Sequence, residues 1–337
     1  MRDFLQSLSD SQLIDYVLCE ETAKLSKHSL PKLKISVHYL AEGIIEFRPD
    51  YQTDCDIIIS CGIHGNETAP IEICEQIVTD IMAGSIRLKA RLLLILGNLP
   101  AMKSNQRFCE ENLNRLFSGK FIQSDSAEAS RAALIEQQVE HFYNRANVRR
   151  IHLDLHTAIR TSHYPKFAIY PYRADKKWDR ALINWFADAS IEAILLGHQP
   201  SGTFSYYTSN KFDADAFTVE LGKARHFGTN DLSLLKSFKQ RLIELLENKT
   251  IWRTESNNSD IIVFKVIKEV LRHNEQGFSL NLSDDFANFS VLPEGYSLTE
   301  DGEDSYTING KNQSVVFPNA KVPVGQRVAL LIEPDNH

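Results

Sequence analysis

Cysteine is scarce: Cys19, Cys55, Cys61, Cys74 and Cys109 are odd in number and form no C-x-x-C pair. That argues against a disulfide framework and fits a reducing cytoplasm. Cys61 stands near a candidate site, but nothing marks it as an activated thiol. Long apolar runs are also missing. The longest, "RLLLILG" at 91–97, falls far short of the ~18 apolar residues of a membrane span, so no membrane association is expected. The opening "MRDFLQSLSDSQLIDYVLCEE" carries acidic and polar residues where a signal peptide needs an unbroken apolar stretch, so export is not expected. An excess of basic charge is lacking too: 37 Lys and Arg against 44 Asp and Glu give −7, which argues against a nucleic-acid surface as the main business of the chain. An anionic substrate would therefore need a local basic pocket. No internal repeat or low-complexity tract interrupts the 337 residues.

What is present is an ordinary globular composition, 43% hydrophobic and 24% charged, long enough for one large α/β domain and a smaller one. Residues 1 to about 28 read as a helical lead-in. Two alternating segments in "LKISVHYLAEGIIEFRP" meet at Glu42-Gly43 like a hairpin, and "DCDIIISCGI" reads as a strand buried on both faces. A helix follows from about Thr68, with Pro70 in its first turn, apolar Ile73, Ile77 and Ile81 on one face, and Gly84 at its end. "ARLLLILGNLP" predicts a strand, "EASRAALIEQQVEHFYNRA" a helix, and "RRIHLDLHTA" and "FAIYPY" strands. "DRALINWFADASIEAILL" predicts a helix, "AFTVELG" a strand, and "GTNDLSLLKSFKQRLIELLEN" a last long helix. This alternation predicts an α/β layer fold with a largely parallel or mixed sheet. Past "TESNNSD" at 254–260 the pattern changes to short alternating runs between turn residues, which predicts two domains: residues 1–253, α/β, and residues 254–337, all-β.

Four polar islands interrupt the apolar strands. In the first, His64 and Glu67 stand three positions apart where a strand gives way to a helix, so one imidazole and one carboxylate can reach the same ion. The competing interpretation is a polar turn whose acidic residue favours the helix dipole. In "IHLDLHTA", His152, Asp154 and His156 alternate onto one face, opposite Ile151, Leu153 and Leu155. Two histidines and a glutamate are the usual protein ligands of a hydrolytic zinc site, and His64, Glu67 and His156 fit that set. Asp154 is either an acceptor that orients an imidazole or a strand-end acceptor with no metal nearby. Glu220 ends the apolar "FTVELG". It is either a desolvated general base or the partner of Lys223 or Arg225 in an ion pair. Finally, "SNQRFCEENLNRLFSG" brings Arg107, Asn114 and Arg115 among Phe108, Leu113, Leu116 and Phe117, a loop packed down with guanidinium groups fit for carboxylates or an oxyanion.

In this order, G-x-H-G-N-E-x-x-P, N-x-x-R…N-L-N-R-x-F, D-L-H-T and V-E-L-G resemble the succinylglutamate desuccinylase and aspartoacylase family, relatives of the zinc carboxypeptidases. The motifs span about residues 50 to 230. The resemblance implies a zinc-carboxypeptidase-like mixed sheet flanked by helices, with a smaller C-terminal all-β domain. It implies His64, Glu67 and His156 as ligands of one zinc ion per subunit, Glu220 as catalytic carboxylate, Arg107 as the group polarising the scissile carbonyl, and Asn114 with Arg115 as binders of a substrate carboxylate. The implied reaction is hydrolysis of N-succinyl-L-glutamate, a small molecule, to succinate and L-glutamate in arginine catabolism; the cysteine usage and polar start place the chain in the cytoplasm. Alternatives are deacylation of another N-acyl amino acid such as N-acetylaspartate, peptide trimming by a carboxypeptidase, or an inactive zinc- or dicarboxylate-binding module. Homo-oligomerisation is left open. In one respect the chain departs from the pattern. Aspartoacylases hold substrate with a further arginine and a tyrosine, where "HQPSGTFSYYTSN" offers tyrosines but no arginine; Tyr296 and Tyr306 are the later candidates, and Arg160, Lys166 and Lys223 are unassigned cations.

Overall fold

The computed structural model describes residues 4–18, 25–174, 178–250, 252 and 261–335. Cys19 and the expected domain boundary at 253/254, with "TESNNSD", lie outside the described residues. The lead-in folds as α1 (Phe4–Ser9) and α2 (Leu13–Leu18), but Ser26–Leu30 is a strand, β1, and not the end of a helix. It pairs antiparallel with β2 (Ile35–Ala41), which turns at Gly43, φ +66°, into β3 (Ile44–Pro49) as the hairpin pattern required.

β4 (Cys55–Cys61) is buried along its whole length and leads into α3 (Thr68–Met82). β5 (Arg91–Leu96) is followed by α4 (Leu99–Lys103), then α5 (Ala127–Phe142) and β6 (Arg149–Ala158). β7 (Lys166–Tyr170) precedes α6 (Arg180–Asp188). The predicted helix stops there: Ser190 takes φ +62° and "AILL" forms the strand β8 (Ala193–Leu196). Four consecutive buried apolar residues fit a strand covered on both faces better than a helix with one apolar stripe. The unpredicted helix α7 (Phe204–Phe212) then leads to β9 (Asp215–Lys223), and α8 (Lys236–Leu246) closes this part of the chain.

The C-terminal part contributes β10 (Ile262–Leu271), β11 (Ser279–Leu280), β12 (Ser290–Val291), β13 (Ser297–Glu300), β14 (Tyr306–Thr307), β15 (Ser314–Val316) and β16 (Arg327–Pro334). Among the described residues, one sheet of thirteen strands runs β1-β2-β3-β5-β4-β6-β9-β7-β8-β10-β16-β15-β12. β5, β4, β6 and β9 are mutually parallel, so their carboxyl ends share one edge. The all-β part is thus stitched onto the α/β part: β10 pairs parallel with β8, and Phe167, Leu195, Phe264, Phe289 and Ile332 form a common core across the junction.

Alternation along β4 divides the main core. Ile57 and Ile59 face α3, α6 and α8, whereas Ile58 faces α5 and α7. Each such isoleucine, fully withdrawn from water, contributes roughly 1.5–3 kcal/mol. The rigid layer between these two cores carries the polar islands.

Candidate active site

His64 and Glu67 lie just past the carboxyl end of β4, where the chain must turn sharply. Gly62 supplies φ +64°, and at Gly65 a Cβ would sit 2.1 Å from the backbone carbon of Ala101, so only glycine lets this loop cross α4. The loop delivers Glu67 to the N-cap position of α3, yet its carboxylate makes no capping bond there. It turns toward two imidazoles instead, which rejects the polar-turn reading. Oε1 lies 2.9 Å from His64 Nδ1 and accepts from Arg107 Nη1 at 2.7 Å; Oε2 lies 2.8 Å from His156 Nδ1 and accepts from the Thr157 amide at 3.1 Å. Burial would raise this carboxyl, but the two histidines overcome it and hold Glu67 well below the usual range.

His156 comes from the end of β6, next to β4. One donor atom from each of His64, Glu67 and His156 can be chosen so that all lie within 4.8 Å of one another, and all three residues are buried. The outer nitrogens are held: His64 Nε2 is 3.0 Å from Asn112 Oδ1, and His156 Nε2 is 3.0 Å from Asp154 Oδ2. Because a carboxylate or amide oxygen only accepts, each Nε2 carries a hydrogen; each Nδ1 faces Glu67, where it needs either a hydrogen of its own or a cation to receive its lone pair. Two nitrogens and a carboxylate, pre-oriented in this way, fit a divalent metal ion. Burial opposes a charge on His156, but Asp154 and Glu67 on either side raise it well above the ordinary value, so a proton there does what a cation would do. His64, buried with less help, is lowered.

Glu220 stands opposite His156 in the parallel register of β6 and β9. Among the described residues it makes no ion pair with Lys223 or Arg225, and its buried Oε2 has no hydrogen-bond partner. Burial first, and the negative charge of Glu67 second, push it up to about 7. A carboxyl that exchanges its proton near neutrality, beside a cation site, is suited to general acid–base work.

The arginine loop is packed down only in its second half: Leu113, Leu116 and Phe117 are buried, whereas Phe108 is exposed and Arg107 half-buried. Arg107 reaches Glu67, and its carbonyl accepts from Gly65 N at 3.2 Å. Asn114 is buried; its Oδ1 accepts from the Phe204 amide at 2.9 Å, at the start of α7. Arg115 donates to the Asn114 carbonyl at 2.8 Å. Desolvation, then the like charges of Arg327 and Arg107, lower Arg115 to about 10. The side chain is exposed to solvent, and it remains a cation at neutral pH.

Sequence reasoning missed Asn112, whose contact with His64 spans 48 positions and has no local pattern. It also missed Arg327, which β16 brings to the neighbourhood of Arg115 from the C-terminal part. Arg160 is spent on the Asp284 carbonyl at 2.6 Å, and with Thr161 and His163 it fixes the segment after β6 to residues 284–290. Tyr296 donates to the Asn281 carbonyl, and Tyr306 lies under Lys268 Nζ at 4.3 Å, so both serve the C-terminal part itself.

Comparison with known proteins gives the family and the fold. Residues 54–246 match the succinylglutamate desuccinylase/aspartoacylase catalytic domain, and residues 259–335 the AstE/AspA barrel-sandwich hybrid domain. The chain belongs to the succinylglutamate desuccinylase/aspartoacylase family. It is 43% identical to a succinylglutamate desuccinylase of Pseudoalteromonas atlantica, over 88% of this chain and 87% of that one. It is 40% identical to another from Pseudomonas putida, over 98% of both. The X-ray structure of the Vibrio parahaemolyticus succinylglutamate desuccinylase superposes with a TM-score of 0.88 at 33% identity, covering 95% of this chain and 94% of that one. The family's mixed sheet and C-terminal all-β domain are those described above. Among the described residues, no helix is long and apolar enough to cross a membrane.

Proposed function

We propose that this family member hydrolyses N-succinyl-L-glutamate to succinate and L-glutamate, a zinc-dependent step of arginine catabolism in the cytoplasm. The observation that carries this reading is the juxtaposition of a His-Glu-His donor set with a buried, partly neutral Glu220; the names of the relatives supply the substrate. Zinc held by His64, Glu67 and His156 would supply Lewis acidity to the amide carbonyl and to water. Glu220 takes the proton of the attacking water and delivers it to the departing glutamate nitrogen. Arg107 places a cation where the tetrahedral oxyanion develops. Asn114 and Arg115 hold a substrate carboxylate, Arg115 through its guanidinium and Asn114 both directly and by fixing the start of α7.

The substrate carries three carboxylates. An acidic protein, net −7, gathers Arg107, Arg115 and Arg327 in one neighbourhood toward that demand, Arg107 being paired with Glu67 at 2.7 Å and Arg327 with Glu269 at 3.2 Å before substrate arrives. In this reading residues 1–253 supply the catalytic groups, and residues 254–337 form the second domain.

The test is release of glutamate from N-succinylglutamate and of aspartate from N-acetylaspartate, before and after chelation and with zinc added back. Chelator-sensitive turnover of the first substrate, at least tenfold above the second, is the expected result. Turnover that survives complete metal removal would reject the metal part of the reading. Preference for N-acetylaspartate would reject the substrate.

A further inference from the structure

His152, on the same face as Asp154 and His156, has no place in the mechanism above, yet both its ring nitrogens are engaged in a fully buried chain. Thr208 Oγ1 lies 2.8 Å from His152 Nδ1, and His152 Nε2 lies 2.9 Å from Ser60 Oγ. Ser60 Oγ donates to Asp154 Oδ1 at 2.6 Å, and Asp154 Oδ2 meets His156 Nε2 at 3.0 Å. We infer that Thr208, His152 and Ser60 are positioning residues that act through Asp154 to fix His156 with Nδ1 aimed at the metal position. This rests on the reading of His64, Glu67 and His156 as a metal site.

Proton accounting gives the chain a direction. The Asp154 carboxylate only accepts, so the single hydrogen of Ser60 goes to it. Toward His152, Ser60 can then only accept, which puts the hydrogen of a neutral His152 on Nε2 and leaves Nδ1 as an acceptor facing the Thr208 hydroxyl at 2.8 Å, whose one hydrogen the Ser205 carbonyl at 3.1 Å also competes for. From the other side, His156 must donate through Nε2. Hydrogens from both sides therefore converge on Asp154, and each bond polarises the next. The ring of His152 is also held mechanically: Phe204 packs against it edge-on, with centroids 4.4 Å apart and planes at 63°. Three elements, β4, β6 and α7, thus converge on one ligand. An apolar residue at position 152 would fill the same core without desolvating an imidazole, so packing alone gives no reason for the histidine.

The experiment is zinc titration of the purified full chain against a competing chelator, with the visible spectrum of the cobalt-loaded protein as a geometric readout. Ser60→Ala is expected to weaken metal binding by about tenfold and shift the cobalt spectrum, as loss of an orienting partner does. His152→Leu should weaken it several-fold. His152→Gln, whose amide N–H stands in for Nε2–H, should recover most of that loss, which a purely space-filling role would not produce. Thr218→Val is the control: it removes a nearby buried hydroxyl, 2.7 Å from Ser205 Oγ and outside the chain, and should leave affinity and spectrum unchanged. Should Ser60→Ala fail to fold, the Gln–Leu pair at 152 decides. Wild-type affinity in Ser60→Ala and His152→Leu, or equal losses in Thr218→Val, would overturn the relay. If the wild type takes up no metal at all, the ligand reading falls first and the relay with it.

Discussion

The two ends of the central strands bury charge in opposite ways. At the amino ends, Asp56 of β4 is fully withdrawn from solvent and saturated: Arg91 Nε and Nη2 donate to it at 2.9 and 2.8 Å, and Arg145 binds it from a second side. Arg91 also reaches Glu46 of β3 at 3.4 Å, while Arg149 of β6 binds Asp215 of β9 at 2.9 Å. At the carboxyl ends of the same strands, Glu67, Asp154 and Glu220 crowd together around two histidines with one arginine, and Glu220 Oε2 is left without a partner. A network whose carboxylates are all paired with guanidinium groups holds strands in register, even though Arg150 Nε beside it has no acceptor among the described residues. One that leaves a carboxyl half-neutral has something to exchange with a substrate.

The contrast can be broken by one change at each end. Glu220→Gln keeps the size of the side chain and removes the exchangeable proton. Turnover should fall by on the order of 10³-fold, with the midpoint of thermal unfolding unchanged or raised, because a buried carboxyl with an unpaired oxygen costs stability. Near-normal turnover with metal bound would remove Glu220 from the mechanism. Asp56→Asn should do the reverse. Breaking a buried ion pair takes the main counter-charge from Arg91 and Arg145, leaving Arg91 only the longer contact to Glu46, and costs roughly 3–5 kcal/mol. Urea unfolding would show this, while kcat per folded molecule stays within about twofold of wild type at low temperature. A variant that keeps its stability but loses kcat would mean that the amino-end network reaches the site after all.

How much of this could be read from the chain depended on how local each feature is. The His64–Glu67 spacing and the alternation of His152, Asp154 and His156 are set within one turn or one strand, so they are visible in ten residues. The capping alternative for Glu67 was equally local, and only the direction of its side chain eliminates it. Asn112, Arg327 and the Ser60–His152 bond were out of reach because each is made by register or by loop placement across tens of residues. β8 and α7 failed for a different reason. "AILL" is too short to show a period, and "FSYYTSNKF" is covered on several sides, so it lacks the single apolar stripe that marks a surface helix. The entry of β10 into the main sheet is another non-local event: residues 262–265 pair with residues 193–196.

Midway between the two ends, His152 sharpens the comparison in a smaller way. Its neighbours are Ser60 from β4 and Thr208 with Phe204 from α7, and the charged groups acting on it are Asp154 and His156. Burial lowers it from 6.5 to about 4, against the pull of Asp154. The folded-state value lies below the unfolded one, so between these values the unfolded chain binds the proton and the native chain does not. Stability tied to His152 is therefore complete above pH 6.5 and lost as the pH falls toward 4, by at most about 3 kcal/mol. In metal-free protein, wild type and His152→Gln compared by urea unfolding at pH 7 and pH 5 isolate this contribution, since the other carboxyls and histidines titrate in both. The wild type should lose more stability over that interval than the variant. Equal losses would mean that water or a local opening already serves the imidazole, and that the middle of the strands is less dry than either end.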